Sequence, residues 1–122
     1  MSFVNGMSMH VTVTIRPEDA MHFFALFKPV FDQAIAEPEC IFFEVYAGAP
    51  AGRISWVEDW TRDPQWYLDH QLTKDYYREF LALTEPLYVA PREIEVFERL
   101  SADYCYSTQE MDWVSMWTHS YE

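Results

Sequence analysis

Residues 57–80 read V-E-D-W-T-R-D-P-Q-W-Y-L-D-H-Q-L-T-K-D-Y-Y-R-E-F. The alternation before Trp60 predicts the end of a strand, and the polar residues after it predict a turn. Asp63-Pro64 is typical of a helix start. An aspartate side chain can accept a hydrogen bond from a free backbone N–H group of the first turn, and proline at the first helical position has no N–H group that needs an acceptor. The stretch therefore predicts a strand, a turn, a short helix, and a second helix that begins near Thr73 and is capped by it.

The same stretch carries the side chains with the most chemical capacity. Trp66 and His70 are four residues apart, so they share one face of the short helix. Histidine titrates near physiological pH, which makes His70 a candidate base for a proton on an acidic carbon or a phenol. A helix histidine that caps a neighbouring loop is an equally open alternative.

Glu58 is the second candidate catalytic residue. It alternates with Trp56 and Trp60 on one face of a strand, where burial would raise its pKa unless a base pairs with it. We expect a structural ion pair with an arginine in preference to a catalytic role. Trp60, Trp66, Tyr76 and Tyr77 are the candidate substrate-binding residues, because aromatic rings bind flat apolar molecules.

The rest of the chain predicts a single α+β domain over residues 1–100. Apolar residues recur at helical spacing from Ala20 to Ile35, with Pro29 expected to kink that helix. The elements follow in the order β-α-β-β-α-α-β with one hairpin at 47–52, which is typical of a ferredoxin-like split βαβ fold with a four-stranded antiparallel sheet. The predicted strands are residues 7–16, 40–46, 53–60 and 93–100.

The second strand, C-I-F-F-E-V-Y, is apolar on both faces. Its alternation places Cys40 with Phe42 on one face and Ile41 with Phe43 on the other. If helices cover only one side of the sheet, the other side has to be hidden, and the simplest solution is a homodimer.

Residues 101–122 form a separate acidic and aromatic C-terminal extension. Ser107-x-x-Glu110 is typical of a capping box, and Trp113, Met116 and Trp117 follow at helical spacing. We expect a docked helix, placed on its own domain, across a dimer, or over a pocket.

Composition excludes several classes of function. The chain has 20 acidic and 8 basic residues, a net charge of −12, which argues against nucleic acid and anionic membranes as partners. Its four histidines and two cysteines lack the spacing of metal sites, so no metal is expected. With no signal-peptide pattern and no long apolar run, the expected location is the cytoplasm.

Three motifs in residues 7–100 resemble the antibiotic biosynthesis monooxygenase family: Glu58-x-Trp60, His70-x-x-Thr73, and Glu37-Pro38-x-Cys40. The resemblance implies a dimeric α+β barrel and a cofactor-free oxygenase. Such enzymes oxidise anthrones, naphthacenes or quinols through a substrate carbanion that reduces dioxygen directly. It also implies a small aromatic substrate, with His70 as the base or as a hydrogen-bond partner of the substrate, and with Glu58 orienting a polar group.

The chain departs from the family at two informative positions. Asp75 replaces the second histidine of an H-x-x-T-x-H pattern, so a two-histidine mechanism does not carry over. Haem-degrading relatives use an asparagine on the first strand, whereas the single asparagine here is Asn5. The alternatives are a non-oxidative isomerase, cyclase or lyase, a small-molecule- or haem-binding dimer, and an interaction protein with a docking tail.

Overall fold

The computed structural model describes residues 2–108. The strands are β1 (Met7–Thr14), β2 (Cys40–Ala47), β3 (Arg53–Trp60) and β4 (Glu93–Glu98). The helices are α1 (Ala20–Ile35), α2 (Pro64–Trp66), which continues into one π-helical turn (Tyr67–Gln71), and α3 (Asp75–Thr84). Short 3₁₀ turns lie at Pro17–Asp19, Glu85–Leu87 and Ala102–Tyr104.

The four strands form one antiparallel sheet in the order β2-β3-β1-β4. Of the strands in residues 2–108, β2 and β3 are joined by a tight connection, and helices supply the other crossovers. Met9 on β1 lies opposite Glu58 on one side and Val96 on the other. The predicted α+β ferredoxin-like arrangement is therefore confirmed.

The helices cover one face of the sheet and form the core with it. Alternate residues of β1 are buried, as its period-two pattern predicts. From α1, Phe27 packs against Trp56 with ring centroids 4.9 Å apart, and against Phe80 of α3 at 5.7 Å. Burying each such ring stabilises the fold by about 1.5–3 kcal/mol. Helix α1 is continuous through Pro29. Phe24, one of the apolar residues that recur at helical spacing along α1, is 40% exposed.

The other face of the sheet is open and of mixed polarity. β1 contributes Ser8, His10 and Thr12 to this face, and His10 packs against Phe97 of β4 with ring centroids 4.8 Å apart. Phe97 is 45% exposed. The outward residues of β1 are all polar, so the apolar side chains of the open face come from the other strands, as Phe97 does.

The predicted side-chain alternation of β2 is wrong at its start. The register shifts between Cys40 and Phe42, so that Cys40 pairs with Trp60 and Phe42 with Asp59. This bulge leaves Ile41 as one extra residue. Cys40 consequently lies on the same, helix-covered face as Phe43, not on the face of Phe42.

The predicted C-terminal helix lies outside the described residues. Its capping-box glutamate, Glu110, and the aromatic residues that follow belong to residues 109–122. Within residues 2–108, none of the helices combines the length and apolarity needed to cross a membrane.

Candidate active site

Asp63 fixes the position at which the chain leaves the sheet. Its carboxylate accepts the backbone N–H of Trp66 at 2.8 Å, which satisfies one of the free donors at the start of α2. Pro64 occupies the first helical position. This cap, predicted from the sequence, aims the following π-helical turn across the helix-covered face of the sheet.

The π-helical turn determines which side chains face inward. Leu72 donates its backbone N–H to the carbonyl of Tyr67 at 2.9 Å, a bond five residues back and not four. Tyr67 and Gln71 are buried, whereas Leu68 and His70 are exposed. The turn thus inserts a tyrosine hydroxyl between the sheet and α3.

A cavity of about 300 Å³ lies between the sheet and the helices that follow β3. This volume is within the range of small-molecule sites. Carbon atoms form most of its wall, and Arg92 is the one charged side chain among the described residues that line it. The apolar wall comes from β1, β3, β4, the π turn and α3, chiefly Met9, Val11, Trp56, Leu72, Leu81 and Ile94.

Tyrosine side chains and Arg92 are the polar residues of the wall. Tyr67 and Tyr77 both line the cavity, and their hydroxyl oxygens are 2.7 Å apart. The Tyr67 hydroxyl also contacts Glu58 Oε1 at 3.1 Å. An ionised carboxylate only accepts, so Tyr67 donates its one proton to Glu58 and in turn accepts the proton of Tyr77. A continuous hydrogen-bonded chain therefore leads from the cavity to Glu58.

Glu58 itself lies behind the cavity and is 1% exposed. Its neighbours on β3 hold it from both sides: Trp56 Nε1 donates to Oε2 at 2.8 Å, and Trp60 Nε1 donates to Oε1 at 2.9 Å. With Tyr67, three neutral donors satisfy the carboxylate. The expected ion pair with an arginine is wrong, because every arginine of the chain lies within the described residues and none forms a salt bridge with Glu58.

Burial shifts the pKa values of all three members of this chain. It raises the pKa of Glu58 to about 6, against the opposing effect of the three hydrogen bonds. Burial, with the nearby Glu58 charge, also raises the pKa values of Tyr67 and Tyr77 far above the ordinary tyrosine value. The Arg92 charge partly opposes this rise at Tyr77. Both tyrosines consequently stay protonated at neutral pH, and Glu58 is the group that titrates near it.

His70 lies outside the cavity, on the exposed side of the π turn. Its ring is 5.8 Å from that of Trp66, so the predicted shared face exists. Trp66 also packs on Trp60 at 5.8 Å and lies under Arg62. Trp60 is fully buried in the core. Neither tryptophan lines the cavity.

Tyr76 also points away from the cavity. Its hydroxyl accepts Gln71 Nε2 at 2.7 Å and donates to Glu37 Oε1 at 3.2 Å. Glu37 in turn pairs with Lys74 at 2.6 Å. These contacts connect the end of α1 to the start of α3. Of the four predicted substrate-binding residues, the structure brings only Tyr77 to the cavity.

Thr73 does not cap α3. Its hydroxyl donates to the carbonyls of Asp69 and His70 at 3.0 and 3.2 Å, so it closes the preceding turn. The N-cap of α3 is Lys74, which makes no side-chain cap. A threonine between two helices can close the end of the first or cap the start of the second. Here its hydroxyl satisfies carbonyl groups that the π turn leaves free.

Sequence reasoning missed Tyr67 and Arg92. Tyr67 and Gln71 have the same four-residue spacing as Trp66 and His70, so the spacing alone does not say which of the two helix faces is buried. The chemical reactivity of histidine favoured the face that the structure shows to be the exposed one. Arg92 follows Pro91 before β4 and has no local pattern that identifies it. Its place at the cavity depends on the strand order of the sheet.

A metal ion has no evident ligand set in the part of the chain that the structure describes. Within residues 2–108, no three His, Cys, Asp or Glu side chains lie close enough together to hold one. A ligand of the cavity would meet apolar walls, three tyrosine side chains and one arginine side chain.

Comparison with known proteins identifies relatives of this chain. No family model matches it. The "Putative monooxygenase GME11364" of Pestalotiopsis microspora is 30% identical over 96 residues, which cover 78% of this chain and 80% of that protein.

Solved structures share the fold. A "putative antibiotic biosynthesis monooxygenase" of Caulobacter crescentus matches with a TM-score of 0.71 and 20% identity, over 80% of this chain and 93% of its own. A protein of the same description from Nitrosomonas europaea matches with a TM-score of 0.71 and 15% identity, over 79% of this chain and 91% of its own. With the sequence relative and these shared structures, the chain belongs to the antibiotic biosynthesis monooxygenase family.

Proposed function

We propose that this protein is a monooxygenase that oxidises a flat phenolic or anthrone-like molecule with dioxygen. The cavity of about 300 Å³, walled mostly by carbon and lined in part by Tyr77, is the observation that carries the proposal. Its apolar walls would bind the rings by excluding water, and its few polar groups would orient an oxygen of the substrate. The monooxygenase relative from Pestalotiopsis microspora supports the same class of reaction.

The proposed chemistry needs no flavin or metal, because the substrate supplies the electrons. Loss of one proton turns an anthrone into a carbanion, which transfers an electron to dioxygen. One oxygen atom ends as the new quinone carbonyl and the other leaves as water, so that one CH₂ group and one O₂ give one C=O group and one H₂O.

The chain's own task in this reaction is to bind the substrate and to remove its proton. Tyr77 is the proposed hydrogen-bond partner of the substrate oxygen, since its side chain is among those that line the cavity. The positive charge of Arg92, on the same wall, would favour the substrate anion over the neutral molecule. His70, the base expected from the sequence, is a competing assignment that its exposed position outside the cavity disfavours.

Oxygen uptake by purified, metal-free protein tests the proposal. We expect protein-dependent uptake with dithranol (1,8-dihydroxyanthrone) and formation of the corresponding quinone, with one oxygen-18 atom from labelled dioxygen in the product. A cavity-filling Ile94→Trp variant should lose this uptake while keeping its fold. Absence of uptake across a panel of anthrones and hydroquinones would reject the proposal.

A second candidate is a non-oxidative isomerase, cyclase or lyase. The polar groups of the cavity form a chain suited to moving a proton, and those reactions also begin with proton removal. Oxygen dependence separates the two: product formation at an unchanged rate without dioxygen would favour the second candidate.

The proposal includes a homodimer formed through the open face of the sheet. Phe42, Tyr46 and Phe97 are each more than 40% exposed on this face, and large apolar side chains there are well suited to an interface. Sedimentation equilibrium should give twice the monomer mass, and Phe97→Glu should weaken the association. A monomer at micromolar concentration would contradict this part of the proposal.

A further inference from the structure

Glu58 is a buried carboxyl group with an unusual set of partners. It is 1% exposed, and its side chain is held by two indole N–H groups and one phenol. Its own β3 neighbours and Tyr67 are the three groups whose hydrogen bonds affect its ionisation. The other titratable groups that interact with it are Tyr77 and the thiol of Cys40. A structural carboxylate buried this deeply would ordinarily be paired with a cation.

Among its three hydrogen-bond partners, Glu58 has one with which it can exchange a proton. The indole donors keep their protons, because an indole N–H group donates only. The contact with the Tyr67 hydroxyl at 3.1 Å is therefore the route by which a proton can reach Oε1. The next contact, from Tyr67 to Tyr77 at 2.7 Å, ends at a side chain that lines the cavity.

We propose that Tyr77, Tyr67 and Glu58 form a proton relay that carries the substrate's proton out of the cavity. The inference rests on the proposed function and names the group that finally holds the substrate's proton. It assigns a role to Tyr67, and it makes Glu58 the proton acceptor of the site although Glu58 does not line the cavity.

The transfer is balanced and leaves both tyrosines unchanged. The substrate's O–H or C–H bond breaks, and its proton bonds to the Tyr77 oxygen. Tyr77 passes its own proton to the Tyr67 oxygen, and Tyr67 passes its own to Glu58 Oε1. The electron pair of the broken bond stays on the substrate as an anion, the carboxylate becomes a carboxylic acid, and nothing is oxidised or reduced in this step.

The environment of each member suits this direction of transfer. The raised pKa values of Tyr67 and Tyr77 keep both phenols protonated, so they conduct a proton without holding a charge. Glu58, with a pKa of about 6, is ionised at neutral pH and accepts a proton more readily than an exposed glutamate. Arg92 on the cavity wall would stabilise the anion left behind.

The spectrum of bound alizarin tests the relay, because this flat dihydroxyanthraquinone changes colour on ionisation. At pH 7 the wild-type protein should bind it as the anion without releasing a proton to the buffer, since Glu58 takes the proton. Titrations in two buffers of different ionisation enthalpy measure that release. An infrared difference spectrum should show a new protonated-carboxyl band on binding.

Tyr67→Phe is the decisive variant, because it breaks the relay but leaves both indole bonds to Glu58 in place. We expect it to bind alizarin as the neutral form, with the ionised fraction at pH 7 lowered roughly tenfold or more, and without the carboxyl band. Tyr76→Phe is the matched control: it removes a hydrogen-bonded hydroxyl from the same region outside the relay, and should retain the ionised spectrum. Glu58→Gln should match Tyr67→Phe, although it takes an acceptor from one buried indole.

Dithranol oxidation, measured in parallel, separates this inference from the proposed function. Oxygen uptake that stays at the wild-type rate in Tyr67→Phe, or an unchanged alizarin spectrum in that variant, would overturn the relay and leave the monooxygenase proposal standing. Alizarin ionisation that depends on Tyr67, in a protein that consumes no oxygen, would support the relay and overturn the oxygenase.

Discussion

Trp60 donates its indole N–H to Glu58 Oε1 at 2.9 Å, from two residues further along the same face of β3. The residue spacing of a strand places the donor beside the acceptor, so the Glu-x-Trp pattern is itself a structural device. It holds a carboxyl group in the core without an opposing charge, and the pKa of Glu58 rises to about 6 as a result of that burial.

The first prediction concerns stability and pH. The folded pKa of Glu58, about 6, lies above its ordinary value of 4.5, so the fold disfavours the ionised form. The stability contributed by the protonated form is complete below about pH 4.5 and is lost as pH rises through 6. Over the whole titration, from well below pH 4.5 to well above pH 6, wild type should lose about 2 kcal/mol more of its unfolding free energy than Glu58→Gln.

Urea unfolding at a series of pH values measures this difference. Glu79→Gln, a change at an exposed glutamate on α3, is the control and should retain the wild-type pH dependence. Parallel curves for wild type and Glu58→Gln would show that Glu58 does not titrate in this range.

The second prediction compares Tyr77, which lines the cavity, with His70, the base expected from the sequence. Tyr77→Phe should lower kcat for dithranol about 100-fold, because it removes the hydroxyl through which the proton leaves the cavity. His70→Ala should leave kcat/KM unchanged, since His70 is exposed and outside the cavity. Steady-state oxygen uptake with both variants decides the assignment, and circular dichroism verifies that both are folded. Loss of turnover in His70→Ala alone would reassign the base to His70.

The third prediction concerns the charge on the cavity wall. Arg92→Gln should weaken binding of the alizarin anion by roughly 10- to 100-fold, the usual effect of a hydrogen bond to a charged group. Arg78→Gln makes the same change at an exposed position of α3 that does not line the cavity, and should bind alizarin like wild type. Fluorescence titration at pH 8 gives both affinities. Equal losses in the two variants would indicate a general effect of net charge.

The fourth prediction concerns the start of α2. Asp63→Ala removes the acceptor that lies 2.8 Å from the Trp66 backbone nitrogen and should cost about 1 kcal/mol of unfolding free energy. Asp63→Asn keeps an equivalent acceptor and should remain close to wild type. Denaturant unfolding compares the three proteins; an equal cost for both substitutions would show that the carboxylate charge matters more than the cap.

The fold could be predicted because its signals are local. The alternation of β1, the helical spacing of α1 and the Asp63-Pro64 cap each lie within a few neighbouring residues. The bulge at Ile41 could not be predicted in this way, because the one extra residue is defined only by pairing with β3. The alternation of β2 was consequently assigned to the wrong faces at Cys40.

The candidate site was less accessible from sequence, because it depends on contacts between distant elements. Glu58 was recognised as a buried acid, but its partners were expected to be charged, and they are the indoles of its own strand and the phenol of Tyr67. Tyr77 was identified by residue type alone. Tyr67 and Arg92 needed the three-dimensional arrangement.

The π-helical turn at Tyr67–Gln71 has a consequence for how this chain relates to others in its family. Such a turn accommodates one more residue than an ordinary α-helical turn in the same axial length. A homologue that lacks this residue would carry a regular helical turn here, with the helix beyond it in the same place and the side chains inside the turn redistributed around the axis. Such a homologue would present a different set of side chains between the sheet and α3, so one insertion or deletion within the turn would change what the cavity binds without altering the sheet.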